Sequence, residues 1–172
     1  MKKLISLLLA LVLCTSLVSV VFAENENEPV SEPDWDSVWE SLDLEIPPDV
    51  EFDYGTSELY TPEDIVPAIA LILEEFGTWE GTEMHAITYM GDECCTTDNV
   101  KWMNDLKNAR TDAQTEGSEL DPDFTQCICF LSNFHSPKEA YGAWEADQEY
   151  TDWQWWLART DDGPWQLLSW GY

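Results

Sequence analysis

The stretch from Tyr150 to Tyr172 constrains the fold more than any other part of this 172-residue chain. Tyr150 to Arg159 and Trp165 to Trp170 are dense in aromatic and apolar residues, and Asp161-Asp162-Gly163 lies between them. Asp tolerates turn conformations and Gly supplies positive φ, so the pattern reads as two antiparallel strands joined by a hairpin turn. Five of the chain's ten tryptophans fall here. Alternation along a strand puts Trp153 and Trp155 on one face and Trp156 on the other, while Trp170 and Tyr172 share a face with Trp165 opposite. Each large ring buries ~150–250 Å². A hairpin with rings on both faces therefore belongs to a larger sheet covered by another layer.

The cover is legible upstream. Thr61-Pro62-Glu63-Asp64 offers an N-cap, a proline at the first helical position and acids in the first turn. Ile65, Ile69, Ile72, Leu73 and Phe76 recur at helical spacing, and Gly77 is the expected stop. Pro67 removes one ladder bond and predicts a kink. Residues 82–90 read as a strand. Asp98 is a candidate cap for a second helix to about Ala109, with Trp102, Met103 and Leu106 inward. Residues 111–123 read as polar loop and Phe124 to Phe134 as a strand; a long loop with Pro137 and Gly142 then leads to the hairpin. One apolar helix followed by consecutive strands predicts a single α+β domain over residues 61–172. Its N-terminal helix would pack on a curved antiparallel sheet of about four strands.

The hairpin from Trp153 to Tyr172 has an aromatic strand, an Asp-Gly turn, Trp165 and a short apolar strand. It resembles the last two strands of nuclear transport factor 2-like domains. Together with Phe130-Leu131-Ser132-Asn133-Phe134-His135-Ser136-Pro137-Lys138 it also resembles uncharacterised exported domains of Gram-positive bacteria. The resemblance spans residues 61–172 and rests on structural motifs that carry no chemistry. It implies a nuclear transport factor 2-like fold, with the cystatin-like fold as near neighbour; the Gln-x-Val-x-Gly loop by which cystatins inhibit proteases is absent. Enzymes on the nuclear transport factor 2-like fold place acid/base side chains in a cone-shaped pocket. By that analogy His85 and Asp92 are the catalytic candidates, although no motif matches residue by residue.

Ahead of the domain the chain changes character. Lys2 and Lys3 precede an apolar run from Leu4 to Leu13, and Val21-Phe22-Ala23 puts small residues at a cleavage site. This predicts a signal peptide cut after Ala23 and a secreted or cell-surface destination. An uncleaved membrane anchor and lipid attachment at Cys14 are the alternatives, the latter disfavoured by Leu13 where Gly, Ala or Ser is usual. No later segment is apolar for long enough to span a membrane. All 35 acids lie after Ala23 against five basic residues, a net charge of −30 once the leader is gone. Such a charge excludes nucleic acid as a partner and opposes docking on an anionic membrane. Residues 24–60 carry 13 acids, four prolines and no Lys or Arg, which reads as an acidic, mostly disordered linker. Within it Trp35, Val38, Trp39 and Leu42 make one face of a short amphipathic segment at 34–42, with Ser31 and Pro33 as its start. That face either docks in a partner's groove or folds back on the domain to hide its two tryptophans.

Removal of Cys14 leaves Cys94, Cys95, Cys127 and Cys129. An even count in an exported domain predicts one or more disulfides between the 94/95 pair and the 127/129 pair, each worth ~3–4 kcal/mol. Free buried thiols are the alternative. Cys-Cys and Cys-x-Cys depart from the C-x2-C spacing of structural zinc sites, so no metal is expected there. Asp112 to Asp123 matches an EF-hand loop at positions 1, 6 and 12 but departs at 3, 5 and 8, and reads as a solvated polar loop. P-loop, dinucleotide and G-x-S-x-G motifs are absent, and no cofactor is expected. Trp153, Trp155, Trp156 and Trp170 are the candidate ligand-binding rings, serving as core on one reading and as a platform for sugar faces on the other. The chain thus reads as a non-enzymatic exported binding or interaction module for a protein, a glycan or a small apolar ligand. The alternatives are an enzyme with a cone-shaped pocket and a glycan-binding module with exposed Trp.

Overall fold

A computed structural model describes residues 33–112, 122–139, 144–161 and 163–172. The expected leader with its cleavage after Ala23, Cys14, and most of the acidic loop 112–123 lie outside the described residues. The order is α1 (Trp35–Ser41), β1 (Glu51–Asp53), α2 (Pro62–Phe76), β2 (Glu83–Tyr89), a 3₁₀ turn at Asp92–Cys94, α3 (Thr97–Asp112), β3 (Gln126–His135), β4 (Glu149–Arg159) and β5 (Gln166–Gly171). The protein is α+β. Among the described residues one sheet has its strands in sequence order, β2 to β5 antiparallel and β1 parallel to β2. The sheet is therefore five-stranded and mixed, where about four antiparallel strands were expected. Among the described residues no helix is long and apolar enough to cross a membrane.

Both faces of the sheet are covered, and the alternation of side chains shows how. Ile128, Phe130 and Phe134 of β3 and Trp155 and Leu157 of β4 join one core with Ile65, Val66, Ile69, Ile72 and Phe76 of α2. Their neighbours Cys127, Cys129, Trp156 and Ala158 join a second core with Met103 of α3 and Leu168 of β5. A strand buried on both sides reads as a continuous apolar run rather than an alternation, and Cys127–Phe130 is such a run. The expected second helix forms as α3 but covers the face opposite α2; it places Met103 inward, leaves Leu106 half-buried and, against expectation, exposes Trp102 to 38%.

Extra residues in the strands decide which rings meet. Ser132 pairs with Trp153 but Phe134 pairs with Tyr150, so β4 holds one residue more than β3 at this point. Asp152 absorbs it at φ +57° and donates its N–H to Asn133. The bulge brings Tyr150 to the same face as Trp153 and Trp155. A similar irregularity at β4–β5 brings Trp170 beside Trp155 with ring centroids 6.1 Å apart. It also puts Trp165 in the α2 core rather than opposite Trp170.

The compact unit begins at Pro33, not at Thr61. Asp34 caps α1 by accepting from the Ser37 N–H and hydroxyl, in place of the expected Ser31 and Pro33 start. Trp39 is 1% exposed and donates its indole N–H to the Tyr54 hydroxyl at 2.9 Å. Trp35 stacks on Tyr54 at 3.8 Å, and Val38 and Tyr60 are buried in the same core. Residues 33–60 are thus packed structure rather than linker. Their acids face water while Trp35, Val38, Trp39, Phe52, Tyr54 and Tyr60 pack inward, a division that average composition hides. Trp39→Ala is expected to lower the unfolding free energy by ~3–5 kcal/mol in chemical denaturation; a change below ~0.5 kcal/mol would mean that α1 is a detached arm.

Candidate functional site

An apolar concavity lies at the seam between α2 and the closing hairpin. Glu63, Pro67 and Leu71 of α2, Arg159 at the end of β4, and Gly163, Pro164 and Trp165 of the connection to β5 line an open cleft of about 390 Å³. Arg159 organises it. Its Nη1 donates to Asp64 at 2.7 Å, its Nε donates to Gln126 at 2.6 Å, and its guanidinium lies 4.3 Å from the Trp165 ring centre. The side chain is 14% exposed, so charge and ring both act in a partly dry setting. Trp165 is pinned in turn, because its indole N–H donates to the Asp64 carbonyl at 2.8 Å. Burial alone would raise the Asp64 pKa. The Thr61 N–H and the Arg159 guanidinium outweigh it and hold the carboxyl below the usual range. Pro67 lies inside α2 and withholds the N–H that the Glu63 carbonyl would otherwise accept. The cleft therefore combines apolar walls, a guanidinium edge and carbonyl and carboxylate acceptors.

The candidate tryptophans do not form one row. Trp155 is fully buried and stacks on Trp79 at 5.2 Å. Trp156 points to the opposite face, against the edge of Trp102 and with its N–H on Gln154. Trp153 is half-buried among Trp79, Trp144 and Tyr150, and its indole nitrogen is buried without a partner among the described residues. Trp170, 39% exposed, and Tyr172, 78% exposed, remain as open rings. Of the amphipathic segment, Val38 and Trp39 are buried and only Leu42, at 38%, stands clear of the core.

His85 and Asp92 are not brought together. His85 sits at the bulge in β2 and pairs with Glu149 at 3.0 Å. Glu149 also pairs with His135 at 3.2 Å, and His135 reaches Asp147 at 3.2 Å. Asp92 lies beyond the other end of β2, where it accepts from Ser57, Tyr89 and the Glu58 N–H. Its partial burial would raise its pKa, but these donors lower it on balance. Its geometry is that of a structural clasp between the 57–59 segment and the turn after β2.

Cys94, Cys95, Cys127 and Cys129 are free thiols, so the expected bridges are not formed. The 94/95 pair does meet the 127/129 pair, as the spacing suggested, but as one packed sulfur cluster in which Cys94, Cys127 and Cys129 are buried. Among the described residues no group of three or more His, Cys, Asp or Glu is arranged to hold a metal ion. Sequence reasoning missed Arg159, Leu71 and Trp165 as a set. The available signal was an arginine ending an aromatic strand in a chain with very few basic residues. No protein-family model, curated protein or solved structure matches the chain.

The histidine cluster carries a pH dependence. Asp147, then Glu149, raise the His135 pKa above its ordinary 6.5. A raised folded-state value means stabilisation that is present in full below the unfolded value and is lost as pH rises through the folded one. The gap in thermal midpoint between wild type and His135→Gln is expected to be larger at about pH 5.5 than at about pH 8.5. An equal or reversed gap would show that the pairs do not form.

Proposed function

We propose that the chain is a non-enzymatic exported binding module that takes a small, mainly apolar ligand with one polar end, on a nuclear transport factor 2-like or cystatin-like scaffold. The observation that carries this is the preformed cleft between α2 and the β4–β5 hairpin. Its volume of about 390 Å³ falls within the ~300–1,000 Å³ range of small-molecule sites. Its walls are held before any ligand arrives. Trp165 is fixed by Asp64, and Arg159 is fixed by Asp64, Gln126 and Trp165. Preorganisation of this kind lowers the entropy lost on binding. The lining residues hold a ligand rather than transform one. Pro67, Leu71, Pro164 and Trp165 supply apolar contact, and Arg159 and Glu63 supply a polar end that fixes orientation. The strongly acidic net charge disfavours anionic ligands at long range, so a neutral or cationic polar end fits best. The scaffold reading draws support from α2 lying along an antiparallel run of four strands.

The uncharged fluorophore N-phenyl-1-naphthylamine has the size and polarity for this cleft. Its fluorescence on addition of the protein is expected to rise and saturate at one site. Leu71→Asp, at a half-exposed position on the cleft wall, should weaken the affinity about tenfold or more, which is about 1.4 kcal/mol. Absence of saturable binding by wild type, or undiminished binding by the folded variant, would contradict the proposal.

A further inference from the structure

A second, chemically different feature lies where the turn after β2 packs on β3. Gly91 adopts φ +99°, a backbone that L side chains rarely take, and swings the chain into the 3₁₀ turn Asp92–Cys94. The Asp92 clasp fixes that turn, and the Cys94 thiol donates to the Gly91 carbonyl at 2.9 Å. The result sets Cys94 and Cys95 against Cys127 and Cys129 of β3. The four thiols are not equivalent. Cys94, Cys127 and Cys129 are buried, whereas Cys95 is partly exposed. Cys95 also lines a cleft of about 220 Å³ with Cys127, Leu59, Tyr60 and Val100 among its walls. The Cys95 sulfur lies 3.7 Å from the Cys94 sulfur and 3.9 Å from the Tyr89 hydroxyl.

We propose that Cys95 is a thiol-modification site whose substrate is a low-molecular-weight disulfide seated in this cleft. The Cys95 thiolate attacks one sulfur of R–S–S–R. The Cys95–S–S–R bond forms as the original S–S bond breaks, and the departing RS⁻ takes a proton from water. Cys95 is oxidised and the departing half is reduced, so atoms and electrons balance without another reagent. Reaction requires a thiolate that a reagent can reach, and Cys95 is the partly exposed member of the set. The Cys127 thiol beside it is the largest influence that draws its pKa below the ordinary thiol value. Cys129 and Cys95 push the Cys94 pKa upward, and Cys95 and burial push that of Cys127 upward. A bridge from Cys95 to the adjacent Cys94 requires a strained ring, which disfavours resolution of the adduct by that neighbour.

The test is intact mass and peptide mapping of the purified, reduced chain after incubation with hydroxyethyl disulfide near neutral pH. The expected product carries a single added half of the reagent on Cys95, formed at least about tenfold faster than at Cys94, Cys127 or Cys129. Cys95→Ser should abolish that fast adduct while circular dichroism stays native. In denaturant Cys94, Cys95, Cys127 and Cys129 should become equally reactive, which shows that the preference belongs to the fold. Adducts spread over the four thiols of the folded protein, no adduct at all, or loss of two hydrogens to an internal bridge would each overturn the assignment.

Discussion

Burial of β3 on both faces is the constraint from which the other elements take their places. Its α2 side carries large side chains, Ile128, Phe130 and Phe134, and its α3 side carries the small Cys127 and Cys129. The asymmetry is physical. Large side chains fill the space beneath a long helix that presents Ile65, Ile69, Ile72 and Phe76. Small ones, with Ala158 beside them, let α3 come close enough for Met103 to be completely buried. Close packing leaves few voids, so concavities arise at the seams. The apolar cleft opens where α2 meets the hairpin, and the sulfur-lined cleft opens where the turn after β2 meets β3 and α3.

The tryptophan content serves this packing first. Trp79, at the end of α2, contacts Phe76, Phe134, Trp144, Trp153 and Trp155. Many of the pairs meet edge to face, a geometry worth ~0.5–1.5 kcal/mol beyond area burial. The bulge at Asp152 makes the cluster possible, because without it Tyr150 would leave this face. A network of interlocked rings is a poor sugar platform, and it explains why a small domain invests so many large side chains at one end of its sheet.

Much of this was legible in the sequence where local signals agreed with tertiary demand. The helix over 62–76 and the final hairpin combine strong periodicity with clear start and turn residues, and both lie within a residue or two of their expected bounds. β1 was hidden because Glu51–Asp53 is one aromatic residue between two acids, a strand defined by its parallel partner rather than by its composition. α3 was expected as a helix, but its weak amphipathic pattern did not say which face of the sheet it covers. The cleft was invisible for a different reason. Arg159 and Asp64 are 95 residues apart in sequence, and Arg159 and Gln126 are 33 apart. Each residue is unremarkable on its own strand or helix. The thiols show the converse: spacing brought the two pairs to one place, while the fold left them unbridged.

Native-state hydrogen exchange followed by mass spectrometry tests the two-faced burial of β3 most directly. The account predicts that amides of residues 127–130, with those of α2 from Ile65 to Ile72, exchange only through global unfolding and are the slowest in the chain. It also predicts that peptides covering α3 around Met103 are protected above a freely fraying helix. Rapid exchange across α3, with β3 protected no better than a sheet surface open to water on one side, would contradict it.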